Sequence, residues 1–73
     1  MKKNTYSSEY KSFSKRLKEA RKKAGFTQKE VAEKLGKTQS YISKIEKSDL
    51  RIDIIQLKEF VELYKKDLDY FIK

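Results

Sequence analysis

Five polar side chains recur on one side of the segment from residue 39 to residue 47, and their chemical types are those that bind nucleic acids. They are Gln39, Ser40, Ser43, Lys44 and Lys47. Amides, hydroxyls and ammonium groups bind base edges and phosphates. The chain contains no Cys and no His, which removes thiolate metal ligands and the commonest general base. The pattern therefore predicts recognition rather than enzymatic catalysis, with no metal and no cofactor.

Two short amphipathic helices around Gly36 are predicted to position these side chains. Thr27 and Glu30 form a capping-box pattern, so a helix is expected to begin at Gln28. Gly36 ends this helix, because a residue without a Cβ carries little strain in the left-handed region. Thr38 is the expected N-cap of the next helix. Residues 28–47 thus predict a helix-turn-helix, in which Ala32 allows a close helix crossing and Val31, Leu35, Ile42 and Ile45 face inward.

The rest of the chain predicts three supporting helices and a single all-α domain over residues 1–73. Residues 1–6 have no helical period and are expected to form a flexible basic arm, after which Ser7 caps a first helix. Asp53 and Gln56 repeat the capping-box pattern before a fourth helix, and Asp67 is the expected cap of a short fifth helix. The predicted apolar stripe of the fourth helix consists of Ile54, Leu57, Phe60, Val61 and Tyr64.

The chain resembles the Xre/Cro-type helix-turn-helix family of bacterial and phage regulators from about residue 13 to residue 72. The matching motifs are GFTQ at 25–28, VAEKLG at 31–36, SYISKIE at 40–46 and DLDYF at 67–71. This resemblance implies a five-helix, lambda-repressor-like DNA-binding domain. It also implies that the third helix, about residues 39–47, lies in the major groove of DNA.

The resemblance carries roles over to individual positions. It implies that Gln39, Ser40 and Lys44 contact bases, and that Gln28 holds a phosphate and braces Gln39. Arg21 and Glu46 are implied to form a structural pair between the first helix and the end of the third. If exposed, such a pair would contribute only about 0–1 kcal/mol. Side-chain chemistry adds Thr38 to the base-reading residues and predicts Lys37, Ser43, Lys47 and Arg51 as further phosphate-binding residues.

Two positions depart from the family pattern. Many members have glycine after the Glu46 position, whereas this chain has Lys47 and Ser48, and it has no proline. Ser48 is therefore expected to take an ordinary or mildly strained backbone conformation. Lys65 stands where glycine is usual between the fourth and fifth helices. Neither position belongs to the predicted reading surface.

Composition and charge narrow the function classes. Nineteen Lys and Arg against eleven Asp and Glu give a net charge of +8, which favours a polyanionic partner. Seventy-three residues leave little room for an enzyme with a deep pocket. No apolar run approaches the roughly 20 residues that span a bilayer, so a cytoplasmic protein is expected.

One domain reads only a few base pairs, so a homodimer on an approximately palindromic operator is expected. The predicted dimer surface contains Tyr64, Tyr70 and Ile72, while Leu68 and Phe71 are expected to complete the core of the monomer. Two interpretations are open for Tyr41, which either covers the turn or places its hydroxyl on a phosphate.

The predicted function is that of a sequence-specific regulator of transcription that binds double-stranded DNA. The alternative is an antitoxin-type protein-interaction module that binds a toxin and also its own promoter. A basic amphipathic helix acting on anionic membranes is a weaker third interpretation, because the charges of the first and fourth helices are evenly mixed.

Overall fold

The computed structural model describes the backbone of residues 8–72 and the side chains of residues 8–71. Within this range the chain is all-α, as predicted. The helices are α1 (Ser8–Ala24), α2 (Gln28–Leu35), α3 (Gln39–Glu46), α4 (Ile54–Tyr64) and α5 (Leu68–Ile72). The expected arm at residues 1–6 and the expected cap at Ser7 lie outside the described residues.

Side-chain caps begin three of these helices. Thr27 Oγ1 accepts the Glu30 N–H at 3.1 Å, and Glu30 Oε1 accepts the Thr27 N–H at 2.8 Å. Asp53 and Gln56 form the same reciprocal pair at the start of α4, with distances of 2.8 and 3.4 Å. The Thr38 hydroxyl accepts the N–H of the third residue of α3 at 3.1 Å. The predicted caps at Thr27, Thr38 and Asp53 are confirmed, and they fix where α2, α3 and α4 begin. At the predicted cap of α5, it is the backbone carbonyl of Asp67 that accepts the Tyr70 N–H, at 3.1 Å.

Four helices end in the same left-handed turn, although only two of the turns contain glycine. The residues with positive φ are Gly25, Gly36, Ser48 and Lys65, at +83°, +68°, +67° and +56°. After each, the next N–H reaches back five residues to a helix carbonyl, as in a Schellman motif. Ser48 was expected to be ordinary or mildly strained, and its positive φ is the mildly strained case, which lets the Asp49 N–H donate to the Lys44 carbonyl at 2.8 Å.

Replacing Lys65 by glycine is expected to stabilise the domain. Lys65 is exposed, so the change removes little contact and mainly relieves the left-handed strain of a side chain with a Cβ. We expect the free energy of unfolding to rise by about 1 kcal/mol in denaturant titration. Lys58→Gly in the exposed interior of α4 is the control and should lower it by about 1 kcal/mol. Equal losses in both variants would contradict the strain at Lys65.

The core lies where the helices converge. Its buried apolar residues are Leu17, Ala20, Val31, Ala32, Ile42, Ile45, Leu57, Phe60, Tyr64 and Phe71. Phe71 completes the core as predicted and makes an edge contact with Phe13 of α1. Leu68 does not, since 41% of its surface is exposed at the start of α5. Ile54 also departs from its predicted place in the stripe of α4 and is 64% exposed, because the first turn of α4 extends to the surface.

Candidate nucleic-acid interface

Helix α3 has a buried apolar side and an exposed polar side. Ile42 and Ile45 anchor it in the core, where the small side chain of Ala32 from the neighbouring α2 is also buried. The predicted readers Gln39, Ser40 and Lys44 are all exposed. The helix therefore presents amide, hydroxyl and ammonium groups to solvent from a rigid support.

A buried polar network fixes the end of α3 to α1 and α2. Arg21 Nε donates to Glu46 Oε2 at 2.8 Å, and Arg21 Nη2 donates to Glu46 Oε1 at 3.2 Å. The Arg21 Nη1 donates to the Phe26 carbonyl at 2.9 Å, and Gln28 Nε2 donates to Glu46 Oε1 at 3.0 Å. Two parallel bonds between a guanidinium and a carboxylate define the relative orientation of the helices that carry them.

This network corrects two expectations. The side chains of Arg21 and Glu46 are only 10% and 4% exposed, so the small energy expected of an exposed pair does not apply. The Gln28 amide was expected to brace Gln39 at the start of α3. Its observed partner is Glu46 at the other end of that helix, because Glu46 points back towards the start of α2.

Tyr64 is buried beside this network, so its side chain cannot be part of the predicted dimer surface. The side chain is 4% exposed and packs against Phe60 and Phe26. Burial raises the pKa of the Tyr64 phenol far above its usual value, the negative charge of Glu46 raises it further, and the positive charge of Arg21 partly offsets both. The hydroxyl therefore stays protonated, and it is buried without a hydrogen-bond partner.

Removing the Tyr64 hydroxyl is expected to stabilise the domain or leave it unchanged. In Tyr64→Phe the free energy of unfolding should rise by up to about 1 kcal/mol, because an unsatisfied buried polar group is lost. Tyr10→Phe is the matched control. Its hydroxyl donates to the Leu50 carbonyl at 3.2 Å and accepts the Ile52 N–H at 3.3 Å, so its loss should cost about 1 kcal/mol. Thermal unfolding that ranks the two variants in the opposite order would contradict this difference.

The other predicted contact residues surround the exposed side of α3. Thr38, Lys37 and Lys47 are exposed, and Ser43 is half-buried. The Lys37 ammonium lies 5.3 Å from the centre of the Tyr41 ring. The Thr38 hydroxyl oxygen is already used as the cap of α3. Arg51 belongs to the loop after α3, where its guanidinium lies 5.0 Å from the centre of the Tyr10 ring.

Of the two interpretations of Tyr41, the structure supports a structural role that covers the turn. Its hydroxyl oxygen is buried and faces the start of α4. Burial raises the pKa of the Tyr41 phenol, the nearby Gln56 side chain lowers it, and the negative charges of Glu59 and Asp53 raise it. The interpretation that this hydroxyl binds a phosphate is therefore wrong.

The start of α3 is electrostatically suited to an anion. The first turn of α3 contains no acidic residue, whereas α2 carries Glu30 in its first turn. The partial positive charge at this helix end is therefore not offset by a carboxylate on the same turn. At the other end Glu46 is paired with Arg21, so Lys44 and Lys47 remain the exposed charges of α3 and its cap.

The C-terminal residues provide less of a contact surface than the sequence predicted. Tyr70 is half-buried, with its ring against Phe71 and under the Lys66 ammonium. The side chain of Ile72 lies outside the described residues. The most exposed large apolar residues of the described chain are instead Ile54, which was predicted to lie in the apolar stripe of α4, and Ile55, for which no role was predicted. The available signal was an isoleucine at position 55, off the apolar stripe of α4.

None of the helices of residues 8–72 is both long and apolar enough to cross a membrane. Among the same residues, no three acidic, histidine or cysteine side chains are grouped as a metal site would need.

Comparisons with known proteins agree with this geometry. Residues 17–71 match the family described as Helix-turn-helix. The HTH-type transcriptional regulator ImmR of Bacillus subtilis (strain 168) is 44% identical over 61 residues, which are 84% of this chain and 48% of the relative. The chain thus spans about half the length of that curated relative. No solved structure gave a significant match.

Proposed function

The chain belongs to the Xre-like helix-turn-helix family of DNA-binding transcriptional regulators, and from that premise we propose that it binds double-stranded DNA sequence-specifically at an operator. The observation that carries the proposal is the exposed polar side of α3, a helix whose opposite side is buried in the core. Ile42, Ile45 and the Arg21–Glu46 pair hold the helix in place. A preformed helix of this kind fits the width of the major groove.

One set of residues is proposed to contact base edges and another to contact phosphates. Thr38, Gln39, Ser40 and Lys44 form the proposed base-reading set. Glutamine suits the N6 and N7 atoms of adenine, and lysine suits the acceptors of guanine. The proposed phosphate-binding set is Gln28, Lys37, Ser43, Lys47 and Arg51. Contacts to phosphates fix the position of the protein and depend on salt, but they carry no sequence information directly.

The regulator acts by occupying its operator, as a homodimer in the cytoplasm. One α3 contacts only a few base pairs, so two copies about one helical turn apart supply the specificity that a single domain lacks. The eight-residue α3 is the reading element of each copy.

Selection from a pool of random duplexes tests this proposal. The protein is incubated with the pool at low salt, and bound duplexes are recovered and sequenced over several rounds. We expect enrichment of one site with two approximately symmetric halves spaced about one helical turn apart. Recovery of sequences no different from the starting pool would contradict the proposal.

A further inference from the structure

An apolar ridge stands at the start of α4. It consists of Ile54 and Ile55, whose surfaces are 64% and 65% exposed. Both side chains are large and aliphatic, and they are adjacent in the chain. Water contact at such a pair is unfavourable, and adjacent exposed apolar residues are typical of interaction sites.

An open groove lies directly beside the ridge. It has a volume of about 720 Å³ and runs between α1 and the start of α4. Phe13, Leu57 and Phe71 supply apolar lining, and Ile54 lines the groove from the ridge side. A two-fold axis can seat the ridge of each copy in the groove of the other, the arrangement that a symmetric dimer requires.

The charges around the groove also favour a second copy as the occupant. Glu9 and Asp53 supply negative charge, and Arg16 supplies positive charge. A rotation about a two-fold axis can bring the acidic residues of one copy towards Arg16 of the other. A rim of a single sign would repel its own copy.

The ridge is connected rigidly to the reading helix. Two hydrogen bonds tie the loop between α3 and α4 to α1, since the Tyr10 hydroxyl donates to the Leu50 carbonyl and accepts the Ile52 N–H. The position of Ile54 relative to α3 is therefore fixed by the fold. An axis at the ridge consequently sets the separation of the two α3 helices, which a two-part DNA site requires.

We infer that the Ile54–Ile55 ridge and its adjoining groove form the homodimer interface, an inference that rests on the proposed DNA-binding function. The partner is a second copy of this chain. The interface thus lies at the start of α4 rather than at the C-terminal residues Tyr64, Tyr70 and Ile72.

Equilibrium sedimentation of three proteins across the micromolar range tests the inference. Wild type and Leu68→Lys should both form dimers, since Leu68 is exposed but does not line the groove. Ile55→Lys should raise the dimer dissociation constant by about tenfold or more, because a charged side chain replaces an aliphatic one that the proposed interface covers. Ile55 is exposed in the single chain, so circular dichroism should show the variant fully folded.

A second measurement uses duplexes that contain one or two copies of the selected half-site. Wild type should bind the two-half-site duplex cooperatively, and Ile55→Lys should bind each half-site independently with unchanged affinity. A wild type that is monomeric and non-cooperative while still selecting a DNA sequence overturns the interface but not the DNA-binding function, and the ridge then fits a different protein. A dimer disrupted by Leu68→Lys but not by Ile55→Lys also overturns it.

Discussion

Arg21→Ala is expected to lower the free energy of unfolding by about 3–5 kcal/mol, because it leaves the Glu46 carboxylate buried without its opposite charge. Glu46 accepts two hydrogen bonds from Arg21 and is itself 4% exposed at the side chain. The variant also loses the bond from Arg21 to the Phe26 carbonyl. The free energy of unfolding of a small domain is itself only several kcal/mol, so we expect a loss of this size to unfold a large fraction of the molecules.

Denaturant titration of four proteins separates the buried charge from the packing around it. Gln28→Ala should cost only about 1 kcal/mol, because it removes one bond to Glu46 and leaves Arg21 in place. The double variant Arg21→Met, Glu46→Leu should recover most of the loss, since replacing a buried ion pair by apolar residues is often neutral. A single variant Arg21→Ala within 1 kcal/mol of wild type would show that the pair is not needed to hold α3.

Gln39→Ala is expected to cost about 1–3 kcal/mol of binding free energy on the selected site and to relax the preference at one base pair. The exposed amide at the start of α3 is the group best suited to pair with two atoms of one base. The same substitution should change binding to a random duplex very little, because phosphate contacts dominate there.

Lys47→Ala is the matched comparison for Gln39→Ala. Lys47 is exposed at the end of α3, and its loss should weaken binding to all duplexes similarly. The plot of log affinity against log salt should become shallower by about 0.9 in slope, as expected for one lost phosphate contact. Titrations in which both variants behave alike on selected and random duplexes would show that these roles are assigned wrongly.

Local signals along the chain predicted the starts of α2, α3 and α4 and the exposed polar side of α3. The caps at Thr27, Thr38 and Asp53 involve residues no more than three positions apart, so the sequence alone contains both partners. The alternation of buried and exposed residues in α3 also follows from helical period, which places Ile42 and Ile45 on one side. These signals were sufficient to identify an all-α domain with a polar third helix.

The partner of Gln28, the exposure of Ile54 and the conformation of Ser48 depend on how the helices pack, which local sequence patterns do not predict. Gln28 contacts Glu46, eighteen positions away, rather than Gln39. Periodicity identified the side of α4 that contains Ile54, but not that its first turn extends to the surface. Ser48 adopts a left-handed conformation because the chain must reverse after α3, and this requirement overrides the usual preference for glycine.

Base analogues in the selected duplex test most directly whether α3 reads the major groove. Each adenine is replaced in turn by 7-deazaadenine, which lacks the N7 acceptor on the major-groove edge, and binding of wild type and Gln39→Ala is measured. We predict that one replacement weakens wild type by about tenfold and leaves the affinity of Gln39→Ala unchanged. If no replacement weakens wild type, or if both proteins lose equally at every position, then Gln39 does not read adenine from the major groove.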